Sequence, residues 1–282
     1  MLLFSGIFIT ILVIYGAICA VFYLLQNFFF FRPERLPKYF QYQYQFPFTE
    51  VHFDMEDGGY VNAIHFKVPN SKGVVFYLKG NSRSIKGWGK FARDFVGKGY
   101  DFFMMDYRGF GKSHGERSEQ ILYSDAQTVY KWLTEQYPEE QIVIYGRSLG
   151  SGIAARIASW NSPKMLILDS PYYSFIGQIF RSGGFILPLK WLLKYKIRTD
   201  YFIKKVNCPI FYIHGTKDRL IPCKDSLKLV ARNPEKAQLF LIEKAGHNNL
   251  TDFPEYHEHL YDILNDEAML DNFLDLIKQK EG

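Results

Sequence analysis

Three residues far apart in the sequence carry side chains that could act together in nucleophilic catalysis. Ser148 lies in the segment Gly-Arg-Ser-Leu-Gly, residues 146–150, between an apolar run and a helical pattern. Glycine two residues on either side of a serine at a strand-to-helix turn predicts a nucleophile elbow, whose strained backbone exposes the hydroxyl. Asp218 and His247 each follow a later apolar run. Because serine needs a base, and the base needs a third group to orient it, this order of residues predicts a catalytic triad.

The elements that must position these residues alternate between strands and helices. Eight runs are predicted as strands: 49–55, 60–68, 73–78, 101–105, 141–145, 165–168, 210–213 and 238–242. Helical patterns cover residues 85–96, 118–137, 149–160 and 256–277. The alternation predicts an α/β fold, with a mostly parallel sheet, an antiparallel N-terminal edge and helices on both faces. Since the carboxyl ends of parallel strands meet at one edge, we expect the three candidate residues to lie there together.

Three further segments resemble the α/β-hydrolase superfamily. The acid segment of that superfamily is similar to His-Gly-x-x-Asp-x-x-Ile-Pro at residues 214–222, and its histidine segment to Gly246-His247. Residues 106–113, Asp-Tyr-Arg-Gly-Phe-Gly-Lys-Ser, resemble a loop of the membrane-anchored hydrolases related to the α/β-hydrolase-domain depalmitoylases. The resemblance covers about residues 50 to 275. It implies the α/β-hydrolase fold and a triad of Ser148, His247 and Asp218, with neither a metal nor an organic cofactor.

The same resemblance implies where an oxyanion would be bound. One donor is the backbone N–H of Leu149, directly after the nucleophile, and the other lies in the loop after the third strand. By position the second donor is the N–H of Asn81. The relatives begin this loop with His-Gly-Asn, whereas this chain has Lys79 in place of the histidine. Lys79 could therefore change the hydrogen bonding of the loop or place a cation near the site.

Other interpretations of these segments are weaker. Asp169 also ends a predicted strand and is the main alternative to Asp218 as the acid. Gly111-Lys112-Ser113 ends like a phosphate-binding loop, but that motif requires glycine where Asp106 stands. The glycines of residues 150–155 resemble a dinucleotide-binding fingerprint. A dinucleotide site would, however, leave Asp218 and His247 without a role.

The first 31 residues contain no Asp, Glu, Lys or Arg. Residues 2–25 would form a helix of about 36 Å, which is long enough to cross a bilayer. This segment lacks the basic start and clear cleavage site of a signal peptide, so an uncleaved transmembrane anchor is favoured for residues 1–31. The cations that follow it, Arg32, Arg35 and Lys38, predict a cytoplasmic main domain. We expect a juxtamembrane linker at 32–48, with a reach of up to about 60 Å, and a hydrolase domain at 49–282.

A cap-like insertion is predicted at about residues 171–205. It is rich in aromatic and aliphatic residues, and it contains seven Lys or Arg against one acid, Asp200. Lys190, Lys194 and Arg198 are four residues apart and would share one helical face. The hypothesis is that this face meets anionic lipid headgroups, while the apolar side shapes an acyl pocket.

Composition and motifs together predict a membrane-tethered serine hydrolase. The chain has 282 residues, 48% of them hydrophobic, which excludes a disordered protein. The expected substrate is an acyl ester or thioester, in a lipid or a lipidated protein, and no nucleic-acid partner is predicted. A serine peptidase with the same fold remains an alternative, because the same triad cleaves amides. A non-catalytic membrane scaffold is the other alternative.

Overall fold

A computed structural model of the chain describes residues 2–265. Within them, eight strands form a single sheet. The strands are β1 Phe48–Asp54, β2 Tyr60–Phe66, β3 Val74–Leu78, β4 Asp101–Met105, β5 Ile142–Arg147, β6 Met165–Asp169, β7 Ile210–Gly215 and β8 Ala237–Ile242. The α-helices are α1 Leu2–Phe30, α2 Ile85–Trp88, α3 Arg93–Val96, α4 Glu119–Thr134, α5 Leu149–Ala158, α6 Phe175–Arg181, α7 Leu189–Leu192, α8 Thr199–Ile203, α9 Lys224–Val230 and α10 Pro254–Asn265.

The sheet has the order β1-β2-β4-β3-β5-β6-β7-β8. β1 pairs antiparallel with β2, and β2 with β4, while every later pairing is parallel. This confirms the predicted α/β fold with its antiparallel N-terminal edge. β5 lies between β3 and β6, so its carboxyl end, from which the serine turn leaves, is at the centre of the sheet. The register opposes Gly146 to Leu78 on one side and Arg147 to Asp169 on the other.

Both faces of the central strands are buried, which explains why the strands are apolar throughout rather than alternating. All five residues of β3 are buried. Phe76 and Leu78 belong to the core that packs with α4 and α5, whereas Val75 and Tyr77 belong to the core on the opposite face. Helix α4 begins as predicted, since the Ser118 hydroxyl accepts the Ile121 N–H at 3.1 Å. The strands are therefore packed on both faces, which also fixes the strand ends from which the loops start.

The helix predicted for residues 85–96 is interrupted. A 3-10 turn, Gly89–Ala92, separates α2 from α3. At Gly89 a β-carbon would lie 2.4 Å from the Tyr44 ring, so the close packing of residue 44 depends on the absence of a side chain here. The final helix ends its described part at Asn265, and the predicted continuation to residue 277 lies outside the described residues.

The expectation that Lys190, Lys194 and Arg198 share one helical face is wrong. Helix α7 spans only Leu189–Leu192, and the chain at Leu193 is extended. The Glu119 carboxylate accepts the N–H groups of residues 196 and 197, which holds this segment in its non-helical path. Arg198 is instead paired with Asp200 at 2.7 Å.

Helix α1 is the one helix in residues 2–265 that is long and apolar enough to cross a membrane. Residues 32–48, which follow it, lie against the domain rather than reaching away from it. Tyr42 is buried and donates a hydrogen bond to Asn62 Oδ1 at 2.8 Å. Arg35 pairs with Gly111, and the Leu36 N–H donates to the Gly111 carbonyl at 2.8 Å.

Replacing Gly150 by alanine should destabilise the fold. The new β-carbon would lie 1.9 Å from the Leu78 carbonyl oxygen, so β3 and α5 must separate. We expect a loss of about 1–3 kcal/mol in the free energy of unfolding, measured by thermal denaturation in detergent. Gly87→Ala is the matched control, because its β-carbon meets only the Arg83 side chain, at 3.4 Å. Equal melting temperatures for the two variants would contradict the prediction.

Candidate active site

The turn from β5 to α5 holds Ser148 in a strained backbone conformation. Its φ is +52° and its ψ is −118°, in a region that non-glycine residues rarely occupy. The Ser148 N–H donates to the Asp169 carbonyl at 2.9 Å, which ties the turn to the neighbouring strand. A β-carbon at Gly146 would lie 2.5 Å from the Ala154 β-carbon. The glycines of the motif are therefore required by the close approach of strand and helix at this turn.

Ser148, His247 and Asp218 are in hydrogen-bonding contact. Ser148 Oγ lies 3.0 Å from His247 Nε2, and His247 Nδ1 lies 2.7 Å from Asp218 Oδ2. A carboxylate only accepts hydrogen bonds, so we assign the ring proton to Nδ1, which leaves a lone pair on Nε2 facing the hydroxyl. This is the tautomer that a general base needs in order to take the serine proton.

Asp218 lies in the turn after β7, and this turn supplies donors to its carboxylate. Oδ1 accepts the N–H of Leu220 at 2.9 Å and that of Ile221 at 2.8 Å. Burial alone would raise the pKa of this carboxyl. Hydrogen bonds from His214 and His247 outweigh burial, and they hold the pKa of Asp218 well below its usual range. The carboxylate is therefore ionised at neutral pH, as the stabilisation of a neighbouring imidazolium requires.

His214 is fully buried and has its own set of partners. Its Nε2 lies 2.8 Å from the Ile221 carbonyl and 3.3 Å from Asp218 Oδ2. A carbonyl only accepts, so Nε2 carries the proton, and Nδ1 accepts from the Ser226 hydroxyl at 2.7 Å. His214 thus stabilises the turn that carries Asp218, and its hydrogen bonds go to that turn and to Ser226.

Asp169, the alternative acid, is engaged elsewhere. One of its carboxylate oxygens accepts the Tyr145 hydroxyl at 2.9 Å and lies 3.4 Å from Arg147 Nε, while the other accepts the Ser170 hydroxyl at 2.9 Å. Burial alone would lower the pKa of Arg147, but the Asp169 charge outweighs it and raises that pKa. The structure thus places Asp169 in a buried ion pair and not beside His247.

Arg147 is a residue whose importance was missed by the sequence reasoning. It is buried, and its Nη2 donates to the backbone carbonyl of His247 at 3.1 Å. Its guanidinium also lies 5.2 Å from the centroid of the Phe91 ring. A signal was present in the sequence, because an arginine ends one buried strand and an aspartate ends the next. Arg147 is therefore a positioning residue for the histidine loop.

The two predicted oxyanion donors belong to Leu149 and Asn81, which line the cavity that contains Ser148. Leu149 is the first residue of α5, so its N–H has no acceptor within the helix. Asn81 is held in place by the end of α1, since its side-chain Nδ2 donates to the Phe30 carbonyl at 2.9 Å. Its own carbonyl accepts the Arg32 N–H at 2.9 Å. Both residues line the same cavity as Ser148, where a substrate carbonyl would be placed.

Lys79 is buried and is not among the residues that line this cavity. Its ammonium is fully buried, 3.4 Å from Asp106 Oδ1 and 3.8 Å from the centroid of the Phe110 ring. Burial lowers the pKa of Lys79 to about 8, and it raises the pKa of Asp106 to about 6, against the attraction between the two groups. Asp106 also accepts the Ile85 N–H at 3.0 Å, at the start of α2. The Lys79 ammonium therefore packs against Asp106 and Phe110, and Lys79 is not among the described residues that line the cavity.

A cavity of about 540 Å³ opens beside Ser148. Its walls come from the end of α1, from the segment between β6 and β7, from Asn81, from the turn at Ser148 and from Leu220 and Ile221 after β7. Among its lining residues are Phe22, Phe29, Phe30, Leu149, Tyr172, Phe175, Ile179, Leu187, Leu220 and Ile221. The space next to Ser148 is thus mainly apolar, and it suits a hydrocarbon chain better than a polar molecule.

Comparisons with known proteins agree with this fold. A family model described as serine aminopeptidase, S33, matches residues 69–197. The α/β hydrolase domain-containing protein 17C of Xenopus tropicalis is 29% identical over 205 residues, which are 71% of this chain and 64% of that protein. This chain therefore spans somewhat less than two thirds of that relative. An uncharacterised protein of Mycobacterium tuberculosis is also 29% identical, over 71% of this chain and 72% of its own length.

Solved structures show the same architecture. The Pyrococcus furiosus esterase Pf2001 superimposes with a TM-score of 0.67 at 22% identity, over 84% of this chain and 98% of the esterase. Acetyl xylan esterase 1 of Thermoanaerobacterium superimposes with a TM-score of 0.62 at 15% identity, over 80% of this chain and 86% of that enzyme. At these identities the likeness concerns the fold. The chain therefore has the α/β-hydrolase fold, and in sequence it is similar to hydrolases with that fold.

Proposed function

We propose that this chain is a membrane-tethered hydrolase that cleaves an acyl ester or thioester, in a lipid or a lipidated protein, through Ser148, His247 and Asp218. The observation that carries the proposal is the hydrogen-bonded series from Asp218 to Ser148 Oγ, which ends at an apolar cavity. A reactive hydroxyl at the base of a hydrocarbon-lined space is suited to an acyl group.

The reaction follows from the positions of these groups. Ser148 Oγ attacks the acyl carbonyl carbon while its proton passes to His247 Nε2, and Asp218 stabilises the imidazolium. The N–H groups of Leu149 and Asn81 bind the oxyanion of the tetrahedral intermediate. When the bond to the leaving oxygen or sulphur breaks, the imidazolium gives its proton to the departing group. Water then attacks the acyl-serine by the same route and releases a carboxylic acid.

The charge of the cavity supports an acyl substrate over a peptide amino terminus. Among the described residues, none that lines the cavity is acidic, and Arg32 is its one arginine or lysine. An enzyme that reads a free amino terminus needs an anion to bind the ammonium group. This cavity would instead leave such a charge without a partner in apolar surroundings, which is unfavourable.

Two features support attachment to a membrane with the domain in the cytoplasm. Helix α1 has no acidic or basic residue along its length. Arg32 and Arg35 follow its C-terminal end, and Lys194 of the cap lies near it, since Lys194 Nζ is 4.3 Å from the Tyr23 ring centroid. A cluster of cations at one end of a span favours the cytoplasmic side for that end.

A fluorophosphonate probe should label the wild-type chain at Ser148. We expect Ser148→Ala to abolish labelling, because the probe forms its bond with the activated hydroxyl. Ser182→Ala is the matched control, since Ser182 also lines the cavity but lies away from the histidine. In-gel fluorescence measures the result. An unlabelled wild type, or equal labelling of the Ser148 variant, would reject the mechanism.

Asp218→Asn should mainly affect turnover, whereas Asp169→Asn should mainly affect stability. Asp218→Asn should lower kcat by about 10³–10⁴-fold, because His247 loses the group that fixes its tautomer. Asp169→Asn should mainly lower the melting temperature, because it leaves the buried Arg147 cation without its anion. Ester hydrolysis per labelled site and thermal denaturation separate the two effects. Loss of turnover with unchanged stability in Asp169→Asn would transfer the acid role to that residue.

The topology can be tested with C-terminal reporters on the full chain in bacteria. A fused green fluorescent protein should be fluorescent and membrane-bound, and a fused alkaline phosphatase should be inactive, if the domain is cytoplasmic. Membrane fractions washed with alkaline carbonate should retain the fusion. An active phosphatase fusion would reverse the orientation, and release by carbonate would exclude the anchor.

A further inference from the structure

We propose that the C-terminal end of α1 is a wall of the acyl-binding site, so that the enzyme takes the long acyl chain of a substrate dissolved in the bilayer that α1 spans. This inference rests on the proposed function and specifies how its substrate is selected. Three aromatic residues of α1 carry it: Phe22, Phe29 and Phe30 line the cavity that contains Ser148.

Helix α1 is divided into a free part and a docked part. Residues 4–18 of α1 are exposed, whereas Gln26 and Phe30 are buried against the domain, as is Phe31 directly after the helix. The 20 residues before Phe22 would span about 30 Å, which is the thickness of the hydrocarbon core of a bilayer. The remaining part of the helix therefore belongs to the hydrolase domain.

Polar contacts fix how the docked part is placed. The buried Gln26 side chain donates to the Leu192 carbonyl at 2.7 Å and accepts the Lys194 N–H at 2.9 Å. The Tyr195 hydroxyl donates to Asn27 Oδ1 at 2.6 Å. An amide facing lipid would leave its polar atoms unsatisfied, so these contacts belong to a protein interface. They set the rotation of α1 that turns Phe22 and Phe29 toward the cavity.

The cap beside α1 has an exposed apolar surface. Phe180, Phe185, Ile186 and Trp191 are more than half exposed, and Trp191 reaches 81%. The Tyr15 hydroxyl donates to the Ile186 carbonyl at 2.9 Å, so this surface lies level with the middle of α1.

The level of Tyr15 places the cap surface within the bilayer. Tyr15 lies six residues, or about 9 Å along the helix, before residue 21, where the spanning part of α1 ends. Segments that lie in the membrane interface insert to a similar depth, about 5–10 Å. Gly184 and Leu187, on either side of Ile186 in the chain, line the cavity. The mouth of the cavity is therefore beside the acyl chains of the surrounding lipid, and a chain can enter without crossing water.

Substituting tryptophan for Phe22 or Phe29 tests this wall, because the larger ring would shorten the space for the chain. The substrates are p-nitrophenyl palmitate and p-nitrophenyl butyrate in phosphatidylcholine vesicles that contain the full-length enzyme. The ratio of kcat/KM for palmitate over butyrate should fall at least about tenfold, since a few methylenes in an apolar pocket are worth that much. Phe28→Trp is the matched control, because Phe28 is 76% exposed on the same helix, and it should keep the wild-type ratio.

The possible outcomes separate this inference from the proposed function. An unchanged ratio in Phe22→Trp and Phe29→Trp, or an equal loss with both esters, would overturn the role of α1 in chain selection. A wild type that is neither labelled by fluorophosphonate nor active on either ester would instead overturn the proposed function. If the tryptophan variants have lowered melting temperatures, Phe22→Leu and Phe29→Leu test the same wall in the opposite sense. A larger cavity should then raise the palmitate-to-butyrate ratio, and an unchanged ratio would reject the proposal.

Discussion

The buried guanidinium of Arg147 is the interaction on which the rest of the site depends. It joins three segments that meet only in the folded chain: the end of β5, the Asp169 carboxylate at the end of β6, and the backbone carbonyl of His247. Removing one partner of a buried ion pair costs about 3–5 kcal/mol, because the other charge is left without compensation. The strand ends and the histidine loop are therefore held together by one group, whose residue directly precedes Ser148 in the chain.

Much of the fold could be predicted from sequence because its signals are local. Buried parallel strands appear as continuous apolar runs, and the turn at Ser148 needs glycines that a reader can recognise. Asp218 and His247 could also be singled out, since each follows such a run and the order along the chain is restricted. Their mutual hydrogen bonds, by contrast, depend on the positions of three loops, and only the structure shows them. That these residues perform catalysis stays a prediction.

Other features lay beyond sequence reasoning because they depend on tertiary contacts. The spacing of Lys190 and Lys194 indicated a longer helix. The backbone N–H groups of residues 196 and 197, however, donate to the Glu119 carboxylate and hold this segment in a non-helical path. Lys79 stands where its relatives have histidine, and nothing in the sequence says that Asp106 and an aromatic ring enclose it beneath the loop. The apolar N-terminal segment did not indicate that the last turns of α1 would contact the cap, because a membrane-spanning helix and a buried core helix have similar compositions.

The close packing of residues 32–48 has a consequence for where the enzyme can work. A flexible linker would let the domain move far from the end of α1. The backbone pairing of Arg32 with Ser82 and of Arg35 with Gly111 instead holds the linker against the domain directly after α1. With α1 inserted, the height of Ser148 above the lipid is set by the fold. The enzyme would then act in cis, on molecules in its own leaflet. A substrate held by a soluble carrier or by an apposed membrane would first have to transfer into that leaflet.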